Sequence, residues 1–235
     1  MVPMEGAPGQ CRRLAVTLRV PLGAVLCVTP FNSPLNTVTH KVAPAFAAGN
    51  SVIVKPSSST PKTICKLVQV LTDAGLPKGF VSVLHGGVDV VQRDIADQRV
   101  RFIAFTGSTE VGRLIQTAAD LRRTQMELGS TAFTILNDDA DLDRALPKIV
   151  GAGYGKAGQV CTSVQMLLVH SSLEAEVTRR MTELVGAVKY GDPREEGTVT
   201  GPLISEDDAV RVAPWIDEAV GMGATHLAGC VSPPS

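Results

Sequence analysis

The sequence lacks a charge bias. Lys and Arg number 22 against 23 Asp and Glu, for a formal net charge of -1. A nucleic-acid or membrane-surface protein would carry a basic excess, so the balance argues against both partners. No apolar run is long enough to span a bilayer. The opening stretch MVPMEGAPGQCRR has no apolar core of the kind a signal peptide carries. The five cysteines (11, 27, 65, 161, 230) are odd in number and form no C-x-x-C pair. They read neither as a disulfide framework nor as a zinc site, and a reducing, cytoplasmic setting is expected. The four histidines (40, 85, 170, 226) have no metal-ligand spacing and read as structural or exposed, so no metal is expected. No G-x-S-x-G elbow, no H-E-x-x-H and no internal repeat occurs. What is left is an ordinary globular balance, 44% hydrophobic and 19% charged, in 235 residues. That is enough for one large domain or two modest ones.

Apolar runs rich in β-branched residues alternate with helical stretches. GAVLCVTP (23–30), SVIVKP (51–56), FVSVLHGG (80–87) and RFIAFTGS (101–108) read as short buried strands. Between them, 37–49 reads as a helix stopped by glycine and 60–77 as the clearest helix. In that helix Thr60 suits the N-cap and Pro61 the first turn, and Gly75 and Pro77 end it. A polar helical region precedes the fourth strand, and 108–123 follows it as a helix opened by Ser108 or Thr109. This β-α-β-α order predicts an α/β fold, a parallel sheet with helices on both faces. After about residue 125 the pattern shifts. QMELGSTAFTILNDD (125–139) reads as strand-like, 139–158 as a helix entering a glycine-rich stretch, 165–172 as a strand and 172–188 as an amphipathic helix. A second αβ unit is expected from near Glu127. CRRLAVTLRV (11–20) alternates like a strand with no obvious sequence neighbour.

The stretch GYGKAGQVCTS (153–163) carries a G-x-G-x-x-G match and a cysteine. The phosphate-loop reading needs a strand before the motif and a helix after it. Here a helix-like segment precedes and a cysteine and strand follow, so the context fails. FTGSTEVG (105–112) is a better phosphate site, because it follows a strand and opens a helix. Free N–H groups near Ser108–Val111 would face an anion there, although an ordinary strand–turn–helix junction reads the same way. Cys161 lies in a small, polar neighbourhood that suits access to a substrate, yet most lone cysteines are inert fillers. Cys27 and Cys65 lie in apolar strand and helix patterns and read as core, and Cys11 and Cys230 lie near the ends. Glu127, between Met126 and Leu128, suits a general base or an exposed strand end. Asn32 in TPFNSP suits an oxyanion donor or a turn beside prolines. Lys55 is a cofactor contact or a solvated strand end.

The order and spacing of these segments are more specific than any one of them. PLGAVLCVTPFNSP, KVAPAFAAGNSVIVKPSSSTP, AGLPKGFVSVLHGG, FTGSTEVG, MELGS, NDDADLDRA, GQVCTS and GDPREEGTVTGPLIS together resemble the aldehyde dehydrogenase superfamily. The resemblance runs from about Arg19 to Gly229. It implies a Rossmann-like cofactor-binding domain over 21–126 and part of a second α/β catalytic domain over 127–229, with 1–20 a tail and orphan hairpin strand and 230–235 a tail. It implies oxidation of a small aldehyde to a carboxylic acid with NADP or NAD. Cys161 would be the nucleophile, and Asn32 with the Cys161 backbone N–H would hold the oxyanion of the thiohemiacetal. Hydride would pass to the nicotinamide, and Glu127 would activate the water that hydrolyses the thioester. Thr29, Pro30, Phe31, Lys55, Ser58, Gly107, Ser108, Val111 and Leu128 would bind the cofactor. Of the family's variants, a coenzyme-A-acylating relative is less favoured, because Glu127 supplies a base for hydrolysis.

The chain departs from the family pattern in several places. Ser58 stands where many NAD-using members carry glutamate, which removes repulsion against a 2′-phosphate while Lys55 remains as an attractor. NADP is therefore expected to be accepted. Ser130 replaces a common glycine, and Met166 a frequent arginine. Residues 10–20 resemble one strand of the family's oligomerisation hairpin, which makes a homo-oligomer one expectation. The family's N-terminal region and its C-terminal E-x-F-G-P segment are not in the sequence, so the chain resembles a truncated product. The alternative expectation is a catalytically inactive fragment that acts as a binding or assembly partner.

Overall fold

The computed structural model describes residues 15–229. Two compact units divide between Glu127 and Leu128. The first is built on five parallel strands: β1 (Ala24–Val28), β2 (Ser51–Lys55), β3 (Val81–Val83), β4 (Val100–Thr106) and β5 (Arg123–Glu127). Their order across the sheet is β3-β2-β1-β4-β5. The helices α1 (Asn36–Ala47), α2 (Pro61–Asp73), α3 (Val88–Ala96) and α4 (Thr109–Ala119) connect them. Parallel neighbours require such crossovers, and crossovers cover the faces.

The sheet residues divide by the two-residue alternation of a strand. Val25, Cys27, Val52, Val54 and Ala104 form one core with Val38 and Val42 of α1 and Ile64 of α2. Leu26 and Ile103, both fully buried, face the opposite side, where α3 touches β1 and β4 and α4 touches β4 and β5. β1 lies at the centre and is buried along almost its whole length, which explains its unbroken apolar run. Asn50, also buried, pins its start: Oδ1 accepts from the Leu22 and Gly23 amides at 2.6 and 3.0 Å, and Nδ2 donates to the Ala45 carbonyl.

The second unit has two parallel strands, β6 (Phe133–Leu136) and β7 (Met166–Val169). They are accompanied by α5 (Leu142–Tyr154), α6 (Glu174–Gly186) and α7 (Glu206–Gly221). Leu136, Leu142, Leu146, Ile149 and Val177 form its core. Asp141 caps α5 by accepting from the Arg144 amide, and Arg180 of α6 bridges Asp143 of α5 at 2.6 Å.

Several expectations change here. The stretch 125–139 is not one strand: its two halves belong to different sheets, separated by a turn in which Ser130 Oγ accepts from the Ala132 amide. Ser130 thus makes a bond that a glycine at this position could not make. Thr60 occupies the N-cap of α2, but its hydroxyl makes no capping bond and is buried without a partner. Cys65 is exposed rather than core, because it lies on the outer face of α2, opposite Ile64 and Leu67. α7 was not anticipated. Its polar first turn, Glu206-Asp207-Asp208 capped by Ser205, was the available signal. In the expected strand 11–20, residues 11–14 lie outside the described residues, as do Cys11 and Cys230. From 15 to 20 there is a single bridge at Ala15, and Val16, Leu18 and Val20 are exposed.

Candidate active site

In an open parallel sheet the strands end in a crevice where the chain order reverses, and ligands bind there. In the first unit the reversal falls between β1 and β4, since β2 and β3 extend to one side of β1 and β4 and β5 to the other. Thr29, Pro30, Phe31 and Asn32 follow β1. Lys55 ends β2, and Ser58 lies exposed in the turn beyond it. Gly107 and Ser108 follow β4, and Glu127 is the last residue of β5. All of these predicted site residues stand at the carboxyl ends of the parallel strands. Glu127 is exposed, and its carbonyl accepts from the Gly107 amide at 3.1 Å.

Several groups in the crevice are placed where a ligand could meet them. Thr29 is buried and its hydroxyl has no hydrogen-bond partner, an acceptor and donor left for a ligand. Gly107 lies over the Phe105 ring, and a Cβ there would meet Cζ at 2.5 Å, so this position admits only bare backbone. Ser108 caps α4 by accepting from the Val111 amide at 3.3 Å. That N–H, expected to face an anion, is therefore occupied. The Thr109 and Glu110 amides of the first turn have no intrahelical partner by helix geometry. The Val111 side chain is exposed.

One residue of this crevice was missed in the sequence. Lys41 of α1 is 7% exposed, and its ammonium donates to Thr106 Oγ1 at 2.7 Å. Burial lowers its pKa from the ordinary lysine value, against smaller opposing effects of Cys27 and the Glu127 charge. The signal was present: Lys41 sits three residues after Val38 and beside Val42, on the helix face that packs on the sheet. Burial also lowers the pKa of Lys55. Cys27, beneath the crevice, is pushed up to about 12, first by burial, with Lys41 opposing.

In the second unit the glycine-rich stretch follows a helix. α5 ends at Tyr154, and the chain turns through Gly155–Gly158, where Lys156 and Ala157 adopt φ of 52° and 54°. Left-handed backbone at two non-glycine residues is strained and persists only when held by its surroundings. Here it is held by Gln159, whose side-chain Nε2 donates to the Lys156 carbonyl and whose Oε1 accepts from the Ile204 amide. Ser163, fully buried, donates to the Gly153 carbonyl at 2.9 Å, and its own amide closes a turn onto the Val160 carbonyl at 3.0 Å. Cys161 sits inside that turn with its side chain exposed. The stretch is thus a mount for a thiol and not a strand-to-helix phosphate loop. Leu128 opens the second unit and is half-buried. Among the described residues no cluster of His, Cys, Asp or Glu could hold a metal, and no helix is long and apolar enough to cross a membrane.

Known proteins match this arrangement. The sequence model of the aldehyde dehydrogenase family matches residues 3–235. A 3-sulfolactaldehyde dehydrogenase from Priestia aryabhattai is 43% identical over 224 residues, covering 95% of this chain and 47% of that protein. The chain spans about half the length of the curated relatives it matches. Aldehyde dehydrogenase C from Pseudomonas syringae, a variant solved with NAD+ and octanal, superposes with a TM-score of 0.86 at 35% identity, over 91% of this chain and 45% of that one. A glyceraldehyde-3-phosphate dehydrogenase from Methanocaldococcus jannaschii, solved with NADP, gives 0.85 at 35% identity, over 88% and 46%. The family match over nearly the whole sequence, with the parallel sheet and its carboxyl-end crevice, establishes that the chain belongs to the aldehyde dehydrogenase family.

Proposed function

We propose that this protein oxidises a small aldehyde to the carboxylic acid, with residues 21–126 binding NADP or NAD and residues 127–229 carrying the nucleophile. The observation that supports this best is the crevice of the first unit, with the unpartnered Thr29 hydroxyl, the bare backbone at Gly107 and Glu127 at the strand ends. Cys161 attacks the carbonyl carbon as a thiolate and forms a thiohemiacetal. The Asn32 side-chain amide and the Cys161 backbone N–H donate to its oxyanion. Bound NAD(P) supplies the hydride acceptor. Glu127 takes a proton from the water that attacks the thioester, which releases the acid and restores the Cys161 thiolate. Lys41, through Thr106, keeps a positive charge near that carboxylate. Thr29, Pro30, Phe31, Lys55, Ser58, Gly107, Ser108, Val111 and Leu128 hold the cofactor. The Priestia relative's 3-sulfolactaldehyde supports a small polar aldehyde as substrate. The odd number of cysteines without a C-x-x-C pair supports a reducing, cytoplasmic setting.

The test is NAD(P)H production by the purified chain with small polar aldehydes. Cys161→Ser should reduce it by roughly a thousandfold or more. NADP should serve at least as well as NAD, and Ser58→Glu should move the preference toward NAD by about tenfold through repulsion of the 2′-phosphate. A native preference for NAD of about a hundredfold would remove the argument from Lys55 and Ser58.

A second reading is favoured by a different observation. One face of the β6–β7 sheet is apolar and exposed: Phe133 61%, Ile135 73%, Met166 42% and Leu168 47%. Such a face is a surface for association. It supports a non-catalytic assembly partner of a full-length relative, or a homo-oligomer. Labelling of Cys161 by an aldehyde-mimicking electrophile separates the readings. Labelling that depends on NADP supports the enzyme, and cofactor-independent or absent labelling supports the assembly partner.

A further inference from the structure

The outer face of α2 and the exit of β3 form a groove of about 440 Å3, lined by Pro61, Lys62, Cys65, Lys66, Gln69 and His85. Lys62, Cys65, Lys66 and Gln69 fall at helical positions i, i+3, i+4 and i+7, so they share one face. Ile64, Leu67, Val68 and Leu71 take the opposite face into the core. His85 leaves β3 immediately before Gly86, whose φ is 153° and where a Cβ would meet Val90 Cγ2 at 2.3 Å. That backbone admits only glycine and fixes the direction in which the chain leaves the strand. Cys65 Sγ lies 3.4 Å from His85 Nε2 and also reaches the Pro61 carbonyl at 3.5 Å.

None of the residues lining this groove is acidic. Lys62 and Lys66 are like charges one turn apart, an unfavourable pair that an anion between them would relieve. The nearest helical carboxylate, Asp73, is engaged by Gln69 Nε2 at 2.7 Å. The groove therefore combines a solvent-facing thiol, an imidazole within hydrogen-bond reach of it, and two ammonium groups for a negatively charged reagent. None of these groups takes part in the chemistry proposed for Cys161.

We propose that Cys65 is a site of thiol–disulfide exchange with anionic low-molecular-weight disulfides, of the class of oxidised glutathione. His85 Nε2 accepts the thiol proton, and the Cys65 thiolate attacks one sulfur of the disulfide. A new S–S bond forms to Cys65 as the reagent's own S–S bond breaks. The other half leaves as a thiolate and takes the proton from the imidazolium. One thiol and one disulfide enter and one of each leaves, so no further oxidant is needed. Lys62 and Lys66 hold the reagent's carboxylates during the attack, and the cap is reversible by the same exchange.

The experiment treats the reduced full chain with oxidised glutathione and maps the adducts by peptide mass spectrometry. Cys65 should carry glutathione while Cys27 stays free. Rates at Cys65 are then measured with an anionic disulfide, dithiobis(nitrobenzoate), and a neutral one, hydroxyethyl disulfide, each normalised to a small free thiol. The native chain should prefer the anionic reagent by about tenfold, from two nearby charges. Replacing both lysines, Lys62→Gln with Lys66→Gln, should remove that preference and leave the neutral rate unchanged. His85→Gln should slow both reagents by about tenfold, through the loss of the proton acceptor. The proposal is overturned if glutathione is absent from Cys65, if the native preference equals that of the free thiol, or if the double lysine variant keeps it. Should a variant also label Cys27, showing a lost fold, the native preference alone decides.

Discussion

The two units use the same alternation of strand and helix and treat their sheets differently. In the first, the central strand is closed on both faces: Val25 is 4% exposed and Leu26 and Cys27 are 0%. In the second, alternate residues of each strand are out. Phe133 pairs with Met166 and Ile135 with Leu168 on the exposed face, while Leu136 and Val169 turn to α5 and α6. An apolar strand is therefore not evidence of a closed core. Closure needs a layer on each side, and five strands with four crossovers supply it where two strands do not. The consequence is functional. The closed sheet can hold a crevice of fixed geometry at its strand ends, and the open one leaves the side chains of Phe133, Ile135, Met166 and Leu168 exposed.

Single substitutions separate the two sheets most directly. Leu26→Ala should destabilise the chain by about 2–5 kcal/mol, the loss of a fully buried leucine and the cavity it leaves. Ile135→Ser, at 73% exposure, should change stability by no more than about 0.5 kcal/mol and increase solubility. Urea midpoints of the two variants decide: equal destabilisation would mean that the β6–β7 face is covered in solution.

Alkaline pH offers a second test. The Cys27 thiol is pushed from 9.0 to about 12 by burial, so between these values the folded chain keeps a proton that the unfolded chain loses. Stability should therefore fall as pH rises through this window, by up to about 1.4 kcal/mol per pH unit from this group. Lys41 acts in the opposite sense. Its lowered pKa leaves the unfolded chain holding the extra proton just below the ordinary lysine range, so its contribution rises with pH there. Cys27→Ala isolates the thiol. If the alkaline slope is the same with and without it, the thiol is not shielded. Alkylation gives the parallel readout, since Cys161 in its exposed turn should react with iodoacetamide under conditions that leave Cys27 untouched.

A smaller effect than the loss of Leu26 concerns the helix that opens the crevice. Ser108→Ala removes the bond from the Val111 amide and should cost about 1 kcal/mol. Asp141→Ala at α5 removes the equivalent cap in the second unit and should cost a similar amount. A much larger loss at Ser108 alone would indicate that its hydroxyl supports the crevice beyond its capping role.

The pattern of apolar runs and helix signals was sufficient for the parallel sheet, because each of the first four strands is bounded by glycine or proline and separated by a helix with its own start and stop residues. The same local rules excluded the G-x-G-x-x-G match, which follows α5 instead of a strand. They failed where neighbours far along the chain decide. Cys65 and Ile64 are adjacent in one apolar-looking helix, yet only the packing of α2 on the sheet separates an exposed thiol from a core side chain. Lys41 looks like any helical lysine until Thr106, 65 residues away, accepts a hydrogen bond from its ammonium. Asn50 likewise gains its meaning from the amides of Leu22 and Gly23. By itself the sequence determined the family, the order of the elements and which residues could carry the chemistry, since these depend on residue type and spacing. Only the tertiary structure decided which polar groups are buried, which thiols face solvent and which sheet face stays open, because burial depends on what the rest of the chain places alongside.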